Sequence, residues 1–221
     1  MMRSLVFSSL ILALMLASTG CSILQGSVDA TPAAPGTLLY ADDFSNPASG
    51  WGVQSDDGVS NAVTYDLGGL RFNLRQPDRL QWSLSGREYT SSQVEVDAVL
   101  LSGSMDDGFG VLCRFQDREN FYAFLIGHDG YYGLVKLKEG NAELVDMENG
   151  MKFSPNIRTG GIVNHLRVDC TGSMLTLQVN GNVLMQVEDA DFTTGQVGLV
   201  AVTHAAEGSD ILFDTLAILQ P

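Results

Sequence analysis

Glu95 and Asp97 stand two residues apart in QVEVDAVLL, so on an extended strand both carboxyl groups leave one face. Two facing carboxyls are the raw material of glycoside hydrolysis, in which one protonates the leaving oxygen while the other attacks or activates water. The commoner fate of strand acids is a solvated outer face. His128, His165 and His204 are scattered, with no HxxxH spacing and no Ser-His-Asp or Cys-His grouping. Acidic side chains also gather at Asp42-Asp43 and at Asp214. The remaining chemistry lies in three cysteines, Cys21, Cys113 and Cys170, and in aromatic and cationic side chains at Trp51, Trp82, Arg114, Tyr122, Tyr132 and Lys136.

The cysteines divide by context. Arg3 followed by the apolar stretch Leu5 to Leu16 and then small residues has the layout of a removable secretory leader, shorter than the about 20 apolar residues of a spanning helix. The run Ala17-Ser18-Thr19-Gly20-Cys21 resembles the lipobox of bacterial lipoproteins, with Ser18 where Leu is commonest. That resemblance implies cleavage before Cys21, acylation of its thiol and a location on the outer face of a bacterial membrane, tethered through the lipid bilayer. One acyl chain binds marginally and several hold firmly. The alternative is an ordinary leader followed by an unrelated cysteine.

Cys113 in GVLCRF and Cys170 in HLRVDC sit in alternating segments, where Val111, Cys113 and Phe115 share one face and Leu166, Val168 and Cys170 another. Both therefore point inward. In an exported chain they can meet as a disulfide, or remain two buried thiols.

The positions that must be held in place follow from the rest of the chain. Residues 1–20 form the leader. Residues 21–36, the lipid-bearing Cys21 and then SILQGSVDATPAAPG, lack any apolar period and read as a linker. Residues 37–221 suffice for one domain with a full core. They read as about a dozen short strands broken by turn signals such as Gly68-Gly69, Asp117–Asn120, Asp129-Gly130, Glu139-Gly140 and Asn180-Gly181. No segment carries a sustained helical period. The pattern predicts an all-β fold, two antiparallel sheets packed as a jelly-roll sandwich. The formal charge of −14 excludes nucleic acid as a partner by repulsion and suits solubility, cations or neutral ligands.

The order DDF…GW, FGVLCRFQDRENFYAFLIGHDGYYGLVK, NHLRVDCTGSMLTLQVNG, GQVGLVA and LFD resembles the concanavalin A-like lectin/glucanase superfamily over residues 38–219, in particular its laminin-G-like and 3-keto-disaccharide hydrolase branch. The resemblance implies a jelly roll with one concave sheet and no particular activity. Laminarinase-like members carry Glu-x-Asp-x-(x)-Glu on one strand. Here Glu95 and Asp97 are followed by Ala98, Val99, Leu100 and Leu101, so the second glutamate is absent. The family also implies that terminal strands pair, which would bring Asp42, Asp43 and Asp214 together as oxygen ligands for a structural Ca²⁺. Asx turns are the competing reading. A candidate sugar platform is the third cluster, read from strand alternation. If Cys113 faces inward, Arg114 faces outward, and Lys136 outward with Tyr132 beside it. Tyr122, Trp51 and Trp82 complete the candidates for stacking and hydrogen bonding, against the alternative of core packing. These features favour a tethered, non-catalytic binding module for carbohydrate or a surface polymer. The alternatives are a glycoside-acting hydrolase and a protein-interaction scaffold.

Overall fold

A computed structural model describes residues 33–52, 54–55, 61–204 and 208–221. The leader, Cys21 and most of the expected linker lie outside the described residues. Sixteen strands and no helix occur among the described residues. In chain order they are β1 (Leu38–Asp42), β2 (Gln54–Ser55), β3 (Asn61–Asp66), β4 (Gly69–Leu74), β5 (Arg79–Tyr89), β6 (Ser92–Ser102), β7 (Gly108–Asp117) and β8 (Asn120–Gly127). Then follow β9 (Tyr131–Lys138), β10 (Asn141–Leu144), β11 (Lys152–Phe153), β12 (Asn164–Thr171), β13 (Met174–Val179), β14 (Asn182–Glu188), β15 (Gly195–Thr203) and β16 (Ser209–Leu219).

They form two antiparallel sheets. The nine-stranded sheet runs β14-β13-β12-β6-β16-β4-β3-β2, with β1 also paired to β16; the seven-stranded sheet runs β10-β9-β8-β7-β15-β5, with β11 also paired to β9. The expected sandwich is therefore present. β6 illustrates its logic: Ser92, Val94, Val96, Ala98 and Leu100 are buried, while Gln93, Glu95, Asp97 and Val99 are half-exposed on the other face. Turns close where the sequence demands them. Asn180-Gly181 takes positive φ at both residues (51° and 79°), the type I′ geometry that suits a tight hairpin. The β3–β4 turn falls on Leu67-Gly68, one residue before the expected Gly68-Gly69, and puts exposed Leu67 at φ 54°.

The main core lies between the sheets, with Val94, Val96, Leu166, Val168 and Phe213 from one and Val111, Phe124, Leu134 and Leu199 from the other. Cys113 on β7 and Cys170 on β12 form a disulfide across it, Cα atoms 6.8 Å apart, tying sheet to sheet. A second apolar cluster, built on Leu112, Phe121, Ala123, Leu125 and Val200, lies on the opposite face of the seven-stranded sheet. Every residue of both clusters falls within Ala33–Pro221, a compact unit that carries its own core.

Candidate binding face

Several residues expected at a sugar platform are placed elsewhere. Arg114 is 2 % exposed rather than outward. A bulge between Cys113 and Asp117 breaks the alternation, and Arg114 takes φ 54°, so it turns inward after Cys113 while Phe115 joins Leu112 on the far face. Its Nη1 donates to the Phe192 carbonyl (2.6 Å) and Nη2 to the Gly172 carbonyl. Burial pulls its pKa below the usual arginine range.

Lys136 is also buried, because β9 sends Tyr132, Leu134 and Lys136 to the core side. Its ammonium ends at Asp189, Asp191 and Glu143, each 2.7 Å away. Burial lowers its pKa, but these three carboxylates outweigh burial and hold it above the ordinary lysine value. The Tyr122 hydroxyl donates to the other oxygen of Asp189 and accepts from Phe192 N–H. Burial and that carboxylate push the phenol up. Arg114, Tyr122 and Lys136 thus do converge, but on internal partners. They clamp the β14–β15 connection against the seven-stranded sheet.

Tyr132 is in the core, its hydroxyl donating to the Leu184 carbonyl (2.8 Å). Trp51 is 3 % exposed, edge-on to Phe44, with Nε1 donating to Asp42 Oδ2 (3.0 Å). Neither offers a ring to a ligand.

Asp42 accepts from Tyr40 hydroxyl and Trp51 Nε1 on one oxygen and from Phe44 N–H on the other. Asp43 Oδ1 accepts from the N–H and hydroxyl of Ser45, and Asp214 accepts from Thr215 N–H. β1 does pair with β16, as the family pattern implies. The acids nevertheless serve turns, and among the described residues no three His, Cys, Asp or Glu side chains form a metal-holding group.

Glu95 and Asp97 share the outer face of the nine-stranded sheet, as their spacing predicts. His165 Nδ1 lies 2.8 Å from Asp97, and Gln93 donates to Glu95. Arg167 sits across from Glu95 and binds Asp169. That face is a lattice of polar pairs, in keeping with a solvated surface.

The outer face of the seven-stranded sheet is its opposite. Cross-strand register sets Leu80, Val202, Gly108 and Gly127 in one row and Trp82, Val200, Gly110, Leu125 and Gly133 in the next. A third row holds Leu84, Gly198, Leu112, Ala123, Val135 and Leu144. In these three rows the indole N–H of Trp82 is the only side-chain hydrogen-bonding group. Trp82 is half-buried, its ring 5.7 Å from Phe115 and 5.8 Å from Phe121, which stack on each other at 5.4 Å. Leu80, Leu144, Tyr131 and Phe153 are exposed around it. Val200, Leu112, Ala123 and Leu125 beneath them are buried, so the open part of this face is half-buried Trp82 with the exposed Leu80, Leu144, Tyr131 and Phe153. At one end it runs into a pocket whose floor includes Leu125, Val202 and Met151 and whose mouth carries Asp106, Asp129 and His204.

Of the residues singled out in the sequence, Trp82 alone belongs to this face. Leu80, Asp106 and Asp129 were not foreseen. The signal lay in FGVLCRF, FYAFLIG and VGLVAV, which are apolar at successive positions rather than alternating. In an antiparallel sheet such runs mean that both faces are apolar.

The molecule is thus an all-β jelly-roll sandwich whose nine-stranded sheet has a polar outer face and whose seven-stranded sheet carries a second, largely buried apolar cluster on its far side. Solved structures share the fold. A carbohydrate-binding module, CBM66 of Bacillus subtilis, superposes with a TM-score of 0.61 at 18 % identity over 78 % of this chain and 96 % of its own. The GH43 protein BlXynB of Bacillus licheniformis gives 0.61 at 14 % identity over 81 % of this chain, which spans only 39 % of that protein. SCLam, a GH16 endo-β-1,3(4)-glucanase, gives 0.56 at 14 % identity over 85 % and 96 % of the two chains. No protein-family model matches the chain, and no curated protein does.

Proposed function

We propose that this chain is an exported, lipid-anchored, non-catalytic binding module that takes a glycan or related surface polymer on the outer face of its seven-stranded sheet. The observation that carries the reading is half-open Trp82, braced by Phe115 and Phe121, with exposed Leu80 on the same strand and a small pocket nearby lined by Asp106, Asp129 and His204. Sugar C–H faces stack on such rings, and the pocket's carboxylates accept from hydroxyls. The shared fold of a carbohydrate-binding module supports the ligand class. The lack of a second glutamate beyond Glu95 and Asp97 supports a non-catalytic role. The lipobox-like run ending in Cys21 supports the tether.

Residues 33–221, presented to soluble β-glucan, fructan, xylan and α-glucan in affinity electrophoresis, should be retarded by at least one. Trp82→Ala, checked for a cooperative unfolding transition, should weaken that retardation at least tenfold, about 1.4 kcal/mol. Folded wild type that ignores every polymer would contradict the ligand class. In cells, Cys21→Ser should move the protein to the soluble fraction, and retention at the membrane would remove the tether.

A further inference from the structure

A second pair of open rings stands apart from Trp82. Tyr131 and Phe153 are 42 % and 59 % exposed, with ring centroids 5.7 Å apart and planes at 66°. Phe153 sits on β11, a two-residue strand paired to the start of β9 and pinned by Ser154 N–H donating to the Gly130 carbonyl (2.9 Å). Gly130 turns at φ 89°, and a Cβ there would lie 2.8 Å from Phe153 Cε2, so bare backbone seats the ring. Tyr131 also lines the cavity that carries Asp106, Asp129 and His204. Asp129 Oδ1 accepts from the Tyr131 N–H (3.0 Å), and a Cβ at Gly127 would collide with that oxygen. Among the described residues neither Asp106 nor Asp129 pairs with a lysine or arginine, whereas Asp189, Asp191 and Asp210 each meet one.

We infer that this corner takes an amino sugar, whose C–H face stacks on Phe153 and Tyr131 and whose protonated amine enters the Asp106–Asp129 cavity. The inference rests on the chain being a glycan binder, but not on Trp82. Size selects the group that enters: a cavity of about 60 Å³ is too small for a sugar ring and ample for an ammonium. Charge selects its sign. Two carboxylates without a cationic partner, on a chain of net charge −14, attract a cation and repel an anion. The aromatic faces add to that attraction through their quadrupoles. An ammonium brings three donors, and Asp106, Asp129 Oδ2 and a neutral His204 ring nitrogen are acceptors for them. A simple cation would satisfy the carboxylates and leave the exposed Phe153 ring unused. A sugar carrying an amine uses both.

The test is calorimetric titration of residues 33–221 with three β-1,4-linked hexamers that differ only at C2, those of glucosamine, N-acetylglucosamine and glucose. Hexalysine serves as a cation without a sugar face, all at about pH 7 and about 0.15 M salt. The glucosamine hexamer should bind about tenfold or more tighter than the other two hexamers and than hexalysine. Asp106→Asn and Phe153→Ala, both at exposed positions, should each weaken the glucosamine hexamer about tenfold while leaving the unfolding midpoint near wild type. Asp106→Asn should leave the glucose hexamer unaffected. Equal affinity for the three hexamers, hexalysine binding as tightly as the glucosamine hexamer, or unchanged affinity in both variants would overturn the inference. Neutral polymers that bind through Trp82 with no gain from the amine would overturn it and leave the glycan reading standing. Selective glucosamine binding that survives Trp82→Ala, with no neutral polymer bound, would uphold it and move the glycan site from Trp82 to this corner. Binding of no hexamer and no polymer would remove both.

Discussion

Lys136 shows how one charge comes to be buried. Its side chain is 10 % exposed, as is that of Asp189, and the pair is completed by Tyr122. Removing one member strands the other in a poorly hydrated place, which costs more than the pair itself contributes. Lys136→Met should therefore lose about 3 kcal/mol in urea unfolding at neutral pH. Acid should narrow the difference. Burial raises the Asp189 pKa, but the Lys136 ammonium, the Tyr122 hydroxyl and the Asp191 N–H outweigh it and hold the group below the ordinary aspartate value. A depressed folded pKa stabilises above the unfolded value and stops doing so as pH falls through the folded one. The gap between wild type and variant should thus shrink below about pH 4. A gap constant from pH 7 to 3 would mean that Lys136 acts by packing alone.

The side-chain directions of Glu95, Asp97, Cys113 and Cys170 were legible from simple alternation, because β6, the first part of β7 and β12 keep strict period-two geometry there. Arg114 was not legible. One bulge residue at positive φ reverses every inference downstream, and no glycine marks it. Lys136 was misplaced for another reason: its alternation was sound, but a lysine was assumed to seek water. Its long stem instead carries the ammonium to carboxylates supplied by the β14–β15 connection, which is distant in sequence.

At the scale of elements, the bulge and the disulfide are neighbours. Gly195 opens β15 opposite the bulge at φ 147°, and a Cβ there would lie 2.5 Å from the Arg114 carbonyl carbon. The Arg114 clamp and the Cys113–Cys170 bond thus secure the same corner of the two sheets, where β7 meets β12. The bond joins residues 57 apart, so chain-entropy reasoning assigns it about 4 kcal/mol. Replacing both cysteines by alanine should lower unfolding free energy by roughly 3–4 kcal/mol, read from denaturant midpoints at constant slope. A loss under about 1 kcal/mol would show that hydrogen bonding at this corner holds the sheets without the covalent link.

Over the molecule as a whole, the two sheets divide the labour. The nine-stranded sheet turns Glu95, Asp97, His165, Arg167 and Asp169 outward, and the seven-stranded sheet turns out leucine, valine, glycine and Trp82. A net charge of −14 opposes self-association through the exposed apolar side chains around Trp82. Sandwich architecture was readable from turn spacing, since strands and turns are local. Which sheet would present the apolar face was not, because it depends on how β5, β7, β8, β9 and β15 assort into one sheet.

The most direct test of that division is a backbone and indole NMR titration of residues 33–221 with oligosaccharides cut from the four polymers. Shifts should cluster at Leu80, Trp82, Leu125 and Val202 and extend to Asp106 and His204, leaving Glu95, Asp97 and His165 unmoved. Perturbations centred on Glu95, Asp97 and His165, with the Trp82 indole signal unchanged, would contradict the account.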